Sequence, residues 1–330
     1  MKQKRLEWID IMKGIGILLV IVGHYLSFSY LPFIIYSFHM PLFVWVSGYL
    51  FKEDLIKKKT IHTLKKIGIP YLYTYIVVVV GALLVEIAKI FVKNQHFLLL
   101  DFFKTKGIAF LFGYGNSTSQ IEGVDAIWFL ASLMVAEIVL NVLLKLKNRF
   151  FIGVIVVIVY LLGAFLHSKF DIPLYLAGGG TAFLLWLFIG MLFREKEIHF
   201  KTWMIFVAFF VWTIVLVIEI KTNTPLNIDR IRLYGLENVG ALAAIIVIRA
   251  VCERVQTFSL KFLKWMGRNS LYILCVHSFD ISILSNRLSR MFESQFVSFC
   301  IKLVIDLVGA YVLLKLLEII KCRKASFIRK

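Results

Sequence analysis

The chain is poor in acidic residues and in cysteine, and both shortages narrow its class. Asp and Glu number 20 against 38 Lys and Arg among 330 residues, for a formal net charge of +18. The basic residues lie in short segments between apolar runs, where they indicate membrane topology and not a nucleic-acid partner. The cysteines lack the spacing of zinc ligands, so we expect neither a metal site nor a disulfide. They are Cys252, Cys275, Cys300 and Cys322.

The sequence also lacks the short motifs of common soluble enzymes. It has no Walker loop, no dinucleotide-binding glycine fingerprint and no nucleophile elbow. Internal repeats, low-complexity tracts and a soluble accessory domain are not evident, so we expect residues 1–330 to form a single membrane domain. No small-residue cleavage site follows the first apolar run, which we therefore expect to be retained as a span.

Long apolar runs are what the chain does have. Hydrophobic residues make up 60% of it, and its mean hydropathy is +0.84. Runs of about 20 apolar residues predict an all-α, polytopic integral membrane protein. We predict about ten transmembrane helices, at 8–30, 37–51, 68–92, 124–144, 150–167, 178–193, 203–220, 236–250, 269–286 and 294–320. Lys and Arg are concentrated in alternate connections, which predicts that both termini are cytoplasmic.

The first predicted helix carries three ionisable residues on one stripe. At about 100° per residue, Lys13 and His24 point within about 20° of one direction, and Asp10 lies about 40° from His24. A charge inside the hydrocarbon costs roughly 2.5–3.5 kcal/mol, so the stripe must face protein or water. Gly14 and Gly16 follow Lys13 and are expected to permit close helix packing. The stripe is the primary candidate for a functional site.

Two other histidines and a carboxylate extend this candidate site. His39 begins the second helix and is brought near His24 by a short hairpin. Imidazole titrates near neutrality and suits proton removal from a hydroxyl, so His24 and His39 are candidate catalytic residues. Glu137, within the fourth helix, is a candidate partner for a histidine or a lysine. His277 lies near the middle of the ninth helix, and Ser47 is followed by a glycine, a pair too common to mark a nucleophile.

Candidate phosphate-binding groups lie at the predicted cytoplasmic face. Arg268 and Asn269 open the ninth helix, where a helix N-terminus and a guanidinium together hold phosphate. The alternative for Arg268 is an interfacial anchor. The segment 52–66 has six lysines, which fit either a topology signal near anionic lipid or a contact area for a polyphosphorylated ligand such as coenzyme A. A helix lying on the membrane within 93–123 would cover the site.

A set of short motifs follows in order along nearly the whole chain. They are Trp8-Ile-Asp10-Ile-Met-Lys13, the Lys13-x10-His24 spacing, Ser37-Phe-His-Met-Pro-Leu-Phe43, Ser47-Gly-Tyr-Leu-Phe51, Pro70-Tyr71, Trp128-Phe-Leu130, and Gly267-Arg-Asn-Ser-Leu271 with His277. As a set they resemble the acyltransferase-3 family of membrane O-acyltransferases, and most of all its fucose O-acetylase-like branch. The resemblance implies a ten-helix domain that moves an acyl group, usually acetyl, from cytoplasmic acyl-CoA to a sugar hydroxyl of a cell-envelope glycan.

The resemblance and the residues together predict a mechanism. Lys13, Arg268 and Asn269 are expected to bind the acyl-CoA, although many family members carry Arg where this chain has Lys13. His24 is expected to act as the general base, oriented by Glu137 because Asp10 is too far along the helix. A covalent acyl-enzyme intermediate is a variant that the sequence leaves open.

The remaining expectations concern partners and location. Supporting roles are expected for Asp10, Ser47 and His277. Acetyl-CoA, or another acyl-CoA, is the expected donor substrate, with no bound cofactor. The expected acceptor is a glycan or lipid-linked sugar, in a bacterial plasma membrane, with the oligomeric state open. The rival class is a transporter or flippase for envelope glycan precursors, which would also have an intramembrane ionisable stripe, but paired broken helices and half-to-half similarity are not evident.

Overall fold

The computed structural model describes residues 6–26, 28–93, 97–117, 121–284, 288, 289, 291, 292 and 294–328. Every regular element within these ranges is helical, which confirms the all-α class. The helices are α1 Glu7–Tyr25, α2 Leu31–Tyr36, α3 His39–Tyr49, α4 Ile56–Thr63, α5 Ile69–Lys93, α6 Leu99–Phe112, α7 Trp128–Leu143, α8 Arg149–Lys169, α9 Gly179–Glu195, α10 Thr202–Thr222, α11 Leu236–Val255, α12 Lys261–Arg268, α13 Ser270–Phe279 and α14 Gln295–Ile328. Short π turns at Leu64–Gly68 and Asp280–Leu284, and 3₁₀ turns at Asp125–Ile127 and Leu144–Leu146, adjoin these helices.

Seven helical stretches in the described part of the chain are long and apolar enough to cross a membrane. They are Glu7–Tyr25, Leu31–Tyr49, Ile56–Val92, Asp125–Leu146, Arg149–Lys169, Thr202–Thr222 and Gln295–Ile320. Each of the ten predicted segments contains a helix, but α9 has only 17 residues, α11 is charged at both ends, and α13 is short. The count of ten spans and the cytoplasmic position of both termini therefore stay predictions.

The predicted boundaries differ from the structure in two places. The first helix ends at Tyr25 and not at residue 30, because Leu26 adopts an extended backbone and Ser29 has a positive φ of 40°. The lysine-rich segment 52–66, treated above as a connection, contains the helix α4, which packs against α7. A helix also forms within 93–123, where α6 ends at Gly113 in the left-handed conformation.

The core lies among α1, α3, α7 and α9. Of an apolar 18-residue segment in each stretch, more than half is buried in the α1 and α7 spans (56% and 61%), but only 6% in Ile56–Val92. The largest fully buried side chains include Trp45 of α3 with Phe183 and Trp186 of α9. By contrast, α5, α8 and α10 expose many large apolar side chains, as helices that face lipid do. The inner helices are therefore the ones that can enclose a site.

Glycines set the closest helix contacts. A Cβ atom at Gly48 of α3 would lie 2.1 Å from the carbonyl oxygen of Leu187 on α9. A Cβ at Gly14 of α1 would lie 2.2 Å from the carbonyl oxygen of Leu263 on α12, and one at Gly16 would lie 2.9 Å from the Phe43 ring. The prediction that Gly14 and Gly16 permit close packing is confirmed, and α12 is held against the start of α1.

We expect Gly48→Ala to destabilise the protein. The added methyl would meet backbone and not a movable side chain, and overpacking of this kind costs about 1–3 kcal/mol. Thermal unfolding of the detergent-purified protein measures the effect as a lower apparent Tm. The matched control is Gly107→Ala in α6, where nothing lies within 4 Å and alanine favours the helix. Equal stability of the two variants would contradict this account of the α3–α9 contact.

Candidate functional site

One cavity of about 150 Å³ lies between α1, α3, α7 and α13. It contains most of the ionisable side chains predicted from the sequence. Its polar and selected apolar lining residues are Lys13, His24, His39, Ser47, Lys66, Glu137 and Ser270, together with Ile17, Val20, Phe43, Trp128, Phe129, Leu130 and Leu274. The cavity is therefore largely apolar, with a few polar groups that define its chemistry.

The polar groups are divided between two ends. Lys13 and His24 are eleven residues apart on α1, which places them about 16 Å apart along the helix axis. Because the stretch Leu31–Tyr49 runs back along α1, His39 lies at the His24 end and Ser47 at the Lys13 end. The cavity thus has a lysine end and a histidine end, separated by apolar side chains.

His24 is the histidine most open to the cavity. It is an exposed residue of α1, and it lines the cavity. No hydrogen bond from another described residue restrains its ring. Its one close ring neighbour is His277, with centroids 5.3 Å apart in an edge-to-face arrangement. His24 therefore lines the histidine end of the cavity beside His277.

His39 is buried and held in one tautomer. Its Nδ1 lies 2.9 Å from the carbonyl oxygen of Ile35, which can only accept, so Nδ1 carries the proton. The other nitrogen, Nε2, is then unprotonated in the neutral ring and available as a hydrogen-bond acceptor. The ring of Tyr36 packs against the His39 ring, with centroids 5.2 Å apart, and further restricts the orientation of the imidazole.

The lysine end contains a residue that the sequence reasoning did not single out. Lys66 is exposed, lies in the π turn after α4, and lines the cavity with Lys13. Only its position in a lysine-rich segment pointed to it. Ser47 lies at the same end, but its hydroxyl donates to the carbonyl oxygen of Phe43 at 2.9 Å and not to a histidine.

Glu137 has two partners in the structure, and neither is a histidine. Its Oε2 accepts a hydrogen bond from Thr63 at 3.0 Å and lies 3.3 Å from the ammonium of Lys59. Both members of this ion pair are buried, and Lys59 also lies over the ring of Phe51. Glu137 thus neutralises a lysine of α4, in line with one of the two partner types expected for it. Its expected role in orienting His24 stays a prediction.

The backbone before α4 is anchored to α7, which places Lys59 and Lys66. The buried amide of Asn141 accepts from the Asp54 N–H and donates to the Asp54 carbonyl, both at 3.1 Å. Lys58 forms a salt bridge with the Asp54 carboxylate and lowers the pKa of Asp54 below its usual value. The π turn that carries Lys66 follows directly from this anchored helix.

The other predicted donor-binding residues lie beside the cavity. The Arg268 guanidinium donates to the carboxylate of Asp10 at 3.0 Å, so these two residues join α12 to the first turn of α1. The Asn269 side chain donates to the carbonyl oxygen of Trp265 and closes the junction between α12 and α13. Ser270, the next residue, lines the cavity. Arg268 and Asn269 therefore border the lysine end without lining it.

His277 belongs to a second polar cluster, outside the cavity lining. It is fully buried, and its Nδ1 lies 2.7 Å from Asp306 of α14. The Tyr25 hydroxyl donates to Asp280 and lies 3.3 Å from the same His277 nitrogen. Asp306 is not among the site residues predicted from the sequence, although an acidic residue within an apolar run is a signal of function. Among the described residues, no group of three His, Cys, Asp or Glu side chains is arranged to hold a metal ion.

These observations define the class of protein: a multi-helix membrane protein with a cavity between its inner helices that is lined by ionisable side chains. The comparison with protein families gives the identity. A family model described as an acyltransferase domain, that of acyltransferase-3, matches residues 6–315. The chain therefore belongs to the acyltransferase-3 family, as the resemblance implied. Neither the curated proteins nor the solved structures contain a match to the chain.

We expect Glu137→Gln to destabilise the protein strongly. Removing one partner of a buried ion pair leaves an uncompensated charge and costs about 3–5 kcal/mol. In this variant the uncompensated charge would be the buried ammonium of Lys59. The apparent Tm measures the loss, and the double variant Lys59→Met/Glu137→Gln should recover most of it. Glu53→Gln is the control, because Glu53 and Lys145 form a half-exposed pair worth about 0–1 kcal/mol. Failure of the double variant to recover stability would contradict the charge argument.

Proposed function

We propose that the protein is a membrane-embedded O-acyltransferase that moves an acetyl or other short acyl group from acyl-CoA to a sugar hydroxyl. The observation that carries the proposal is the cavity with lysines at one end and histidines at the other. Lysines suit a phosphorylated donor, and neutral imidazoles suit proton removal from a hydroxyl. One cavity lined by both kinds of group is what acyl transfer across part of a membrane requires.

The donor would enter from the lysine end. Ligand pockets for drug-sized molecules have volumes of about 300–1,000 Å³, so a cavity of about 150 Å³ is too small for a whole coenzyme A. It suits the narrow thioester arm, while the nucleotide and its phosphates stay outside. Lys13 and Lys66 line that end, and Arg268 and Asn269 border it. This end faces the cytoplasm in the proposed topology, where acyl-CoA is available.

His24 is the proposed general base. It takes the proton from the acceptor hydroxyl while the hydroxyl oxygen forms a bond to the thioester carbonyl carbon. The carbon–sulfur bond then breaks, its electron pair leaves with the coenzyme A sulfur, and that sulfur is finally protonated. His39, with its unprotonated Nε2, accepts a hydrogen bond from the sugar and aligns it. No metal or bound cofactor takes part in this proposal.

Direct transfer is proposed in preference to an acyl-serine intermediate. A nucleophilic serine needs a base within hydrogen-bond reach, and the Ser47 hydroxyl is instead bonded to a backbone carbonyl. Ser47 also lies at the lysine end, away from both cavity histidines. Its proposed role, like that of Asp10, is to support the donor end of the site.

The proposed acceptor is a glycan or a lipid-linked saccharide of the cell envelope, in a bacterial plasma membrane. The acceptor would reach the histidine end from the external side, since the lysine end is assigned to the cytoplasmic donor. Surrounding lipids contact the apolar outer faces of α5, α8 and α10. This assignment agrees with family membership but goes beyond it.

We expect His24→Ala to lower acyl transfer by about 10²–10⁴-fold, the contribution typical of a general base, while the protein stays folded. Purified protein is incubated with radiolabelled acetyl-CoA or succinyl-CoA and an envelope extract, and released coenzyme A and labelled glycan are scored. His199→Ala, an exposed histidine between α9 and α10, is the control and should transfer normally. Normal turnover of His24→Ala would exclude it as the base, and no turnover by the wild type with either donor would favour transport.

Lys13 provides a separate test of the donor end. Hydrogen bonds to charged groups contribute about 1.5–3 kcal/mol, so Lys13→Ala should raise the KM for acetyl-CoA by at least about tenfold. Lys13→Arg keeps the charge and should remain close to the wild type. Lys201→Ala, at an exposed lysine before α10, controls for the general loss of positive charge. An unchanged KM for Lys13→Ala would mean that the phosphates of acetyl-CoA do not bind at Lys13.

A further inference from the structure

The second polar cluster lies behind His24 and has no role in the proposed function as described so far. It joins three helices: Tyr25 of α1, His277 of α13 and Asp306 of α14. The Lys302 ammonium lies 4.6 Å from the centre of the Tyr25 ring, and Asp280 accepts from the Tyr25 hydroxyl. Each of these groups is buried or half-buried. Ionisable groups concentrated at this depth are costly, so the cluster requires a functional or structural reason.

The contacts of His277 make it a directed hydrogen-bond acceptor. Its Nδ1 donates to the Asp306 carboxylate at 2.7 Å, which leaves Nε2 unprotonated in the neutral ring. Nε2 is buried and has no hydrogen-bond partner within the described residues. A buried acceptor without a partner is unfavourable, and in native structures such an atom calls for an explanation. The available explanation is the neighbouring imidazole of His24.

The distance between the two rings fits this explanation. Two imidazoles joined by an N–H···N hydrogen bond have centroids about 5.2 Å apart, since a contact of about 3 Å adds to two ring radii of about 1.1 Å. The rings of His24 and His277 have centroids 5.3 Å apart and meet edge to face. In the arrangement inferred here, the His24 side chain rotates so that one of its nitrogens donates to His277 Nε2.

We propose that Asp306 and His277 position His24 and share the charge that it acquires. This inference rests on the proposed function and names the groups behind its general base. His24 donates one N–H to His277 Nε2, so its other nitrogen is unprotonated and faces the cavity. When the acceptor O–H bond breaks, that nitrogen takes the proton, and the N–H shared with His277 lets the positive charge spread toward the Asp306 carboxylate.

Within the described part of the chain, Asp306 is the buried carboxylate that is hydrogen-bonded to His277, the histidine beside His24. Three other buried carboxylates are engaged elsewhere: Glu137 with Lys59 and Thr63, Asp10 with Arg268, and Asp280 with the Tyr25 hydroxyl. Asp306 and His277 touch neither the cavity nor the proposed substrates. They are therefore positioning residues, and His24 is the catalytic residue that they position.

The test measures His24 directly, without acyl-CoA. Diethyl pyrocarbonate modifies unprotonated imidazole, and peptide mass spectrometry gives the modification rate of His24 in the full-length protein in detergent. Asp306→Asn keeps a hydrogen-bond acceptor but removes the charge, and His277→Phe keeps a ring but removes both nitrogens. We expect each variant to slow modification of His24 at least threefold. In the transfer assay each should lower kcat at least tenfold and leave the KM for acetyl-CoA unchanged.

The matched control is Glu219→Gln, which replaces another fully buried carboxylate that lines no part of the cavity. It should leave both the modification rate and kcat at wild-type values. A folded Asp306→Asn or His277→Phe protein with wild-type His24 reactivity would overturn the proposal, and so would a loss of stability alone. If the wild type shows no acyl transfer but the variants still slow His24 modification, the positioning role stands and the proposed function fails.

Discussion

The arrangement of this protein depends largely on the cost of leaving a charged group inside a membrane without compensation. Three buried or half-buried carboxylates avoid this cost by pairing across helices. Asp10 binds Arg268, Glu137 binds Lys59, and Asp306 binds His277. Two of these pairs connect helices that are far apart in sequence and the third joins α13 to α14, so the polar contacts also fix which helices are neighbours. The ionisable side chains that line the cavity are mainly lysines at one end and imidazoles at the other.

The features that the sequence predicted well are those that a single rigid element determines. Lys13 and His24 share the cavity because eleven residues return an α-helix to nearly the same direction. His39 joins them because a short connection follows α1. Apolar composition likewise located a helix in each of the ten predicted segments, and failed at the end of α1, where Leu26 turns extended.

The features that the sequence could not predict depend on contacts between distant elements. Glu137 was recognised as an intramembrane acid, but its partner Lys59 lies on a helix that looked like a lysine-rich connection. Asp306 was visible as an acid in an apolar run, yet its contact with His277 depends on how α13 packs against α14. Lys66 had no signal of its own, because one lysine among six cannot be distinguished by composition. Pairing of this kind is a property of the packed helices.

One consequence concerns the length of the substrate that α1 can serve. Lys13 and His24 belong to the same unbroken helix, so their axial separation of about 16 Å cannot adjust to the ligand. In the proposed function α1 therefore acts as a ruler. A donor whose flexible arm matches that length reaches both ends at once. A thioester with a truncated arm would have to give up either the lysine contact or the approach to the imidazole.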